Sequence, residues 1–192
     1  MRINYQWLQD FVELGESGVD VEEIGRVLTG LGLNVEEIQN LDGNFVLDVE
    51  VTTNRSDCLN HLGIAREIAA HYRLPLTSAD VSPPENEEES TSLTSSVQID
   101  SPDLCPRYAG RVITNLRVEE SPDWLKSRLE SVGQRPINNV VDVTNYVTQA
   151  IGHPLHAFDY EKLEENRIVV RTAETGETLV LLDGIQRQLD PS

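Results

Sequence analysis

One stretch of this 192-residue chain concentrates short, uncharged hydrogen-bonding side chains within apolar sequence, namely Asn138, Asn139, Thr144 and Asn145. Such groups can bind the polar part of a substrate and hold a water molecule for the hydrolysis of an ester. The same residue types also form turns and cap helices, and the two neighbouring asparagines follow Pro136 closely. The residues by themselves leave both interpretations open.

His153, His156 and Asp159 follow at intervals of three residues, which is a spacing that could suit a metal ion. Pro154 interrupts a regular helix at this point, and no cysteine or second group of ligands is close in sequence. Two histidines and a carboxylate at such intervals are also common by chance. We therefore predict no metal site in this stretch.

A third charged group surrounds the sequence Asn54-Arg55-Ser56-Asp57, with Arg66 and Glu67 following on a predicted helix. These residues could suggest a catalytic cluster. Capping of the helix by Ser56 or Asp57, and ion pairing between the helix and a preceding strand, explain the same residues without any chemistry. We therefore predict a structural role for this group.

Hydrophobic periodicity divides the first 76 residues into alternating elements. It predicts helices over 4–14, from Asp20 to Gly32 and over 57–72, and strands over 34–40 and 45–52 that are joined by a turn at Asp42-Gly43-Asn44. We expect a small helix-rich module over 1–76 that resembles a winged helix. Because its helices lack a basic face, a structural or interaction role is favoured over DNA binding.

Residues 77–94 are rich in Pro, Glu, Ser and Thr, and they predict an exposed acidic linker to a second domain over 95–192. The second domain is predicted to contain strands over 95–100, 106–117 and 167–172, a helix from the capping Ser121 to about Val132, and a hairpin at Asp183-Gly184. A strand and then a helix are predicted over 140–151, and Gly152 and Pro154 end that helix. The predicted fold class is therefore α+β, with mixed sheet and helix in the second domain.

The composition limits the possible partners. The net charge of −18 argues against a broad grip on a phosphate backbone, so any contact with RNA should be local. No apolar run is long enough to span a membrane, and the N-terminus lacks a hydrophobic signal region. The two cysteines, Cys58 and Cys105, have no metal-type spacing and indicate a cytoplasmic protein with reduced thiols.

Two long blocks carry a specific resemblance: 49–72, VEVTTNRSDCLNHLGIAREIAAHY, and 132–159, VGQRPINNVVDVTNYVTQAIGHPLHAFD. In this order they resemble the amino-terminal part of bacterial phenylalanyl-tRNA synthetase β subunits. The second block resembles the start of that family's editing domain, which hydrolyses tyrosine wrongly attached to the phenylalanine tRNA. The resemblance implies editing-pocket residues Thr144 and Asn145, from Val-Thr-Asn-Tyr, and His156, from Pro-Leu-His-Ala-Phe-Asp. Asn138 and Asn139 are weaker candidates for substrate binding.

The family implies a tetramer of two α and two β subunits, in which the α subunit uses ATP and magnesium to attach phenylalanine to tRNA. No Gly-rich phosphate loop marks an adenylation site in this sequence, so we expect no cofactor in the chain itself. Most bacterial members insert a barrel between the first strand region and the Asn-Arg-x-Asp block. Here the stretch 35–52 is continuous, so the barrel is absent, and the family's later editing segments are missing. We therefore expect an inactive fragment. The alternatives are a stand-alone hydrolase of mischarged tRNA and a non-enzymatic interaction module.

Overall fold

The computed structural model describes residues 1–15, 18–77, 81–86, 88, 90–181 and 184–191. The helices are α1 Tyr5–Leu8, α2 Val21–Gly30, α3 His61–Tyr72, α4 Thr91–Thr94, α5 Asp123–Ser131 and α6 Asn139–Ile151. The strands are β1 Arg2–Asn4, β2 Val35–Leu41, β3 Asn44–Val49, β4 Ser96–Ile99, β5 Arg167–Val170, β6 Thr178–Val180 and β7 Gln186–Gln188. Short 3₁₀ turns lie at Ser56–Cys58, Tyr160–Lys162 and Glu164–Asn166. This mixture of helices and small sheets confirms the predicted α+β class.

The N-terminal sheet has the strand order β1-β3-β2, and both pairs are antiparallel. β2 and β3 form the predicted hairpin, whose two turn residues Asp42 and Gly43 have φ values of 52° and 86°. A two-residue turn with positive φ at both positions matches the right-handed twist of the flanking strands. The stretch from β2 to β3 is therefore a direct hairpin.

Helix α2 begins as predicted, because the Asp20 side chain accepts a hydrogen bond from the backbone N–H of Glu23 at 2.8 Å. Helix α1 is shorter than the predicted 4–14: it ends at Leu8, and Val12 forms an isolated bridge with Leu76 instead. The apolar spacing of this segment therefore serves a turn and a bridge rather than a continuous helix.

Helix α3 begins at His61 after the 3₁₀ turn, so the predicted helix over 57–72 is interrupted. Its cap is Asn60, whose side chain accepts from the backbone N–H of Gly63 at 2.8 Å. The prediction that Ser56 or Asp57 caps this helix is wrong. The carboxylate of Asp57 bonds to Arg55 instead, at 3.0 and 3.1 Å.

The main core joins the three-stranded sheet to helices α1, α2 and α3. Its fully buried aliphatic residues are Ile3, Leu8, Val12, Leu14, Ile24, Leu28, Leu33, Leu47, Val49, Ile64 and Ile68. Complete burial of one such side chain stabilises the fold by roughly 1.5–3 kcal/mol. The first 76 residues therefore have a genuine core of their own.

Contacts between Cα atoms divide the chain into two compact units, Met1–Ser82 with Arg117–Ala157, and Pro83–Leu116 with Phe158–Ser192. This grouping differs from the predicted boundary at residue 95, because α5 and α6 pack with the N-terminal residues. A second cluster explains the difference: Trp7 of α1 is buried with Val132 and Ala150, and Tyr146 packs against it. Long-range packing of this kind leaves no local signal in the sequence.

The second unit contains a parallel pair, β4 with β5, and an antiparallel pair, β6 with β7. Residue 183 of the predicted hairpin lies outside the described residues. Residues 106–117 are all described and form no strand, so that prediction is wrong; they have no neighbouring strand to pair with. The described residues of this unit include no buried side chain.

The predicted linker over 77–94 falls partly on residues 78–80, 87 and 89, which lie outside the described residues. Its described residues 81–86 are exposed, and α4 occupies its last four positions. Among the residues that the structure describes, no helix has both the length and the apolar character needed to cross a bilayer.

Candidate functional site on helix α6

Helix α6 carries or adjoins the four polar residues that the sequence singled out first. The Asn138 side chain caps the helix by accepting from the backbone N–H groups of Val140 and Val141, both at 3.1 Å. The whole of Asn139–Ile151 is helical, so the predicted strand at the start of 140–151 is wrong. The cap at Asn138 favours a helix over the strand that the run of valines would prefer.

The side chain of Asn139 is also engaged with the backbone. Its amide donates to the carbonyl of Arg117 at 2.9 Å, and its carbonyl accepts from the N–H of Glu119 at 3.1 Å. The backbone N–H of Asn139 donates to the carbonyl of Glu119 at 2.9 Å. These bonds fasten the incoming chain to the first turn of α6, and they give both asparagines a structural explanation.

Replacing Asn138 by alanine should lower the free energy of unfolding by about 1 kcal/mol, because two N–H groups at the helix start lose their acceptor. Asn138→Asp is the matched control, since a carboxylate oxygen can accept the same bonds. Urea unfolding of both variants measures the difference. Equal stability of the alanine variant and the unaltered chain would contradict the capping role.

Thr144 and Asn145 lie side by side in the middle of α6, and both are half-buried. The Thr144 hydroxyl donates to the carbonyl of Val141 at 2.7 Å, which leaves its oxygen able to accept a hydrogen bond. No residue in the described part of the chain forms a hydrogen bond with the Asn145 side chain. An acceptor and an unengaged amide therefore occupy consecutive positions of this helix.

The loop that carries His156 follows α6 directly. Gly152 ends the helix with φ of 74°, a left-handed conformation that glycine adopts without strain, as the sequence predicts. The Thr148 hydroxyl lies 3.0 Å from the carbonyl of Thr144 and 3.4 Å from that of His153. These two contacts hold His153, at the start of the loop, against the turn of α6 that runs from Thr144 to Thr148. His156 itself is exposed.

Asp142 anchors the first turn of α6, and sequence analysis missed it. The residue is completely buried, and its carboxylate accepts from the hydroxyl of Ser121 at 2.5 Å and from the N–H of Ile137 at 2.8 Å. The prediction that Ser121 caps α5 is therefore wrong, since α5 begins after Pro122 without a side-chain cap. Both bonds fix the segment that leads into α6.

A stack of rings packs the middle of α6 against the N-terminal module. Trp7 is completely buried and stacks with Tyr146 and His61, whose ring centroids lie 4.5 and 4.1 Å from its own. Arg128 of α5 lies over the Trp7 ring at 5.7 Å and donates to the hydroxyl of Tyr146 at 3.0 Å. Arg128 also pairs with Asp10 through both of its terminal nitrogens. Such stacked and cation–π contacts stabilise the packing.

Within the described residues, the one group of side chains spaced like metal ligands is Asp57, Cys58 and Glu67, whose ligand atoms lie within 4.8 Å. One terminal nitrogen of Arg55 already contacts all three, at 2.8 to 3.0 Å. This guanidinium lowers the pKa of Asp57 to about 2, whereas burial raises the pKa of Cys58 to about 11. The arginine supplies the positive charge that a cation would bring, so this group does not fit a magnesium site. The predicted structural role is consistent with this geometry.

Comparison with known proteins shows the family to which the sequence belongs. The family model of the B3/4 domain matches residues 104–192, a range that includes α6 and the loop with His156. The chain is 47% identical over 160 residues to the phenylalanine–tRNA ligase beta subunit of Moorella thermoacetica, which covers 83% of the chain and 20% of that protein. The chain belongs to this family of β subunits.

Two further family members give the same result. The phenylalanine–tRNA ligase beta subunit of Rhodopirellula baltica is 41% identical over 196 residues, which is 100% of the chain and 28% of that protein. The corresponding protein of Syntrophus aciditrophicus is 48% identical over 160 residues, or 83% of the chain and 20% of that protein. The chain thus spans between a fifth and somewhat more than a quarter of the length of these relatives, and it corresponds to the N-terminal region of a bacterial-type subunit.

Proposed function

We propose that this chain contributes to proofreading in a phenylalanine–tRNA ligase, by helping to hydrolyse tyrosine that has been attached to the phenylalanine tRNA. The observation that carries the proposal is the pair on α6: a threonine oxygen free to accept and, beside it, the unengaged amide of Asn145. Both lie within the matched B3/4 domain. The relatives named above are ligase subunits, which favours this function over a stand-alone hydrolase or a non-enzymatic module.

Proofreading is needed because phenylalanine and tyrosine differ by a single hydroxyl. An apolar pocket that holds phenylalanine rejects an analogue with an added hydroxyl by only about a hundredfold. A second site that hydrogen-bonds the tyrosine hydroxyl reverses this preference, because phenylalanine would leave the polar groups of that site unpaired. Hydrolysis at the second site then removes the error.

Each of the three candidate residues has a role that suits ester hydrolysis. The Asn145 amide can donate to the carbonyl oxygen of the ester, where negative charge develops during attack. The Thr144 oxygen can accept from the attacking water or from the amino group of the substrate. His156, in the exposed loop after α6, can take up a proton from that water. Asn138 and Asn139 are occupied with the backbone, so we propose that they support the site rather than bind substrate.

The other features of the whole enzyme also belong to this proposal. An α subunit would bind ATP and magnesium and attach phenylalanine, and two α and two β subunits would form a cytoplasmic tetramer that binds tRNA. In this chain, the cluster at Asp57, Cys58 and Glu67 holds the guanidinium of Arg55 and does not fit magnesium. With a net charge of −18, this part of the subunit should contact tRNA only locally.

Replacing Thr144 or His156 by alanine in the complete enzyme should slow hydrolysis of tyrosyl-tRNA by at least about tenfold. Activation of phenylalanine should stay nearly unchanged, because it takes place on the other subunit. Thr144→Ser retains the oxygen and is the matched control. Hydrolysis and thermal unfolding should be measured on the same variants. If both alanine variants edit normally and only their stability falls, these residues merely pack and cap, and the proposal is wrong.

A further inference from the structure

His61 is a completely buried histidine that bonds to two different parts of the chain. Its Nε2 accepts from the backbone N–H of Asn4 at 3.1 Å, and its Nδ1 lies 2.8 Å from the carbonyl oxygen of Gln149. Because Nε2 must offer a lone pair to Asn4, the ring proton is on Nδ1 and is donated to Gln149. The two contacts fix the ring as one neutral tautomer.

The hydrogen bond from His61 reaches Gln149 near the C-terminal end of α6, where backbone carbonyl groups lack donors within the helix. The last four carbonyl groups of a helix have no partner in later turns of that helix. α6 ends at Ile151, so the carbonyl of Gln149 belongs to this set, and the preceding carbonyl of Thr148 accepts from Gly152 at 2.9 Å. His61, far away in sequence, therefore completes the C-terminal end of α6.

The position of Gln149 connects this bond to the candidate site. Gln149 lies one helical turn after Asn145, and Tyr146, next to Asn145, belongs to the ring stack on Trp7. The imidazole of His61 stacks on that same tryptophan. One histidine thus contacts both the backbone end of α6 and the stack that limits the rotation of this helix.

We propose that His61 is a positioning residue for the hydrolytic site. By donating to the carbonyl of Gln149, it fixes the axial position and the rotation of α6 on the N-terminal module. It thereby also fixes the positions of Thr144 and Asn145. The inference rests on the proposed function. It assigns a task to the N-terminal module, which would act as the platform for the editing helix.

Two substitutions of His61 each remove one of the two hydrogen bonds of the imidazole and retain the other. In His61→Asn the side-chain amide can occupy the position of Nδ1, so it retains a donor for Gln149 and loses the acceptor for Asn4. In His61→Gln the terminal group reaches the position of Nε2, so it retains the acceptor for Asn4 and loses the donor for Gln149. Both variants lose one hydrogen bond and the stack on Trp7, and both should be destabilised to a similar degree.

In the complete enzyme, His61→Gln should lower kcat for hydrolysis of tyrosyl-tRNA by about tenfold with KM unchanged, since small misplacements of reacting groups have effects of this order or larger. His61→Asn should stay within about twofold of the unaltered enzyme. Equal losses of kcat in the two variants, or unchanged hydrolysis in both, would overturn the inference. If Thr144→Ala and His156→Ala also both leave hydrolysis unaltered, the proposed function is wrong as well.

A measurement on the unaltered 192-residue chain is independent of both the variants and the activity. The ¹⁵N chemical shifts of the imidazole nitrogens distinguish a protonated nitrogen from one that carries a lone pair. We expect a protonated Nδ1 and an unprotonated Nε2 at neutral pH. The opposite tautomer would leave the carbonyl of Gln149 without its donor and would overturn the inference, whatever the kinetics of the variants.

Discussion

The substitution Gly63→Ala is expected to lower the free energy of unfolding by about 3 kcal/mol or more. A methyl group at this position would lie 1.9 Å from the carbonyl oxygen of Asp57, which is a backbone atom of the preceding 3₁₀ turn. The backbone cannot retreat as a flexible side chain could. It is fixed locally, because Asn60 donates from its side-chain amide to the same carbonyl at 3.1 Å.

Gly30→Ala is the matched control for this experiment. Gly30 also lies in a helix, the last residue of α2, but nothing lies within 4 Å of the position that its added methyl group would take. Alanine there should be neutral or stabilise the chain by up to about 1 kcal/mol, because alanine favours helix more than glycine does. Urea unfolding of the two variants measures both effects. A Gly63→Ala chain as stable as the Gly30→Ala chain would show that the 3₁₀ turn can move.

Mild acid should destabilise the protein through His61. Burial is the main cause that lowers the pKa of this imidazole from 6.5 to about 4, and the positive charge of Arg128 also lowers it. In the unfolded chain the group regains its ordinary pKa. Between pH 6.5 and about 4 the unfolded state therefore binds a proton that the folded state does not bind, and stability falls as the pH falls.

The slope of this loss is about 1.4 kcal/mol per pH unit within that window. Lowering the pH from 7 to 5 should therefore reduce the free energy of unfolding by about 2 kcal/mol through this residue alone. His61→Asn is the control, because an uncharged amide does not titrate and its pH profile should be flatter by that amount. Parallel profiles for the two chains would contradict the assignment. Comparison above pH 5 avoids most of the carboxylate titrations, which occur near pH 4.

Features of the fold that depend on neighbouring residues were predictable from the sequence. The capping Asp20 marked the start of α2, and Asp42-Gly43 marked the hairpin between β2 and β3. Gly152 marked the end of α6. In each case one side chain or one backbone conformation decides the structure within a few residues, so the pattern carries the necessary information.

Features that depend on distant residues were not predictable. The alternation over 106–117 predicts a strand, but a strand forms only where another strand pairs with it. The valines of α6 favour a strand locally, whereas the cap at Asn138 and the packing of Tyr146 on Trp7 make it a helix. The packing of 117–157 with the N-terminal residues also depends on contacts between distant residues. No local pattern indicates which ring will stack on Trp7.

In the candidate site, too, the residues in local motifs were predicted and those with distant partners were not. Thr144, Asn145 and His156 were found because their motifs resemble a family, and their roles remain a proposal that the variants described above can test. The residues that hold α6 in place were missed. Asp142 stands between two valines with no local sign that its carboxylate is buried, and His61 resembles any other polar residue near a helix start. Only their burial and their distant partners reveal what they do.

The buried ring stack also gives the chain an optical signal. The chain contains two tryptophans: Trp7 is completely buried in the stack, and Trp124 is 56% exposed. A Trp124→Phe variant would retain one indole, located where α6 meets the N-terminal module. Emission from a buried indole occurs at shorter wavelength than emission from an indole in water. The wavelength of its fluorescence would therefore report, in a mixture and in real time, whether α6 is packed against the N-terminal module.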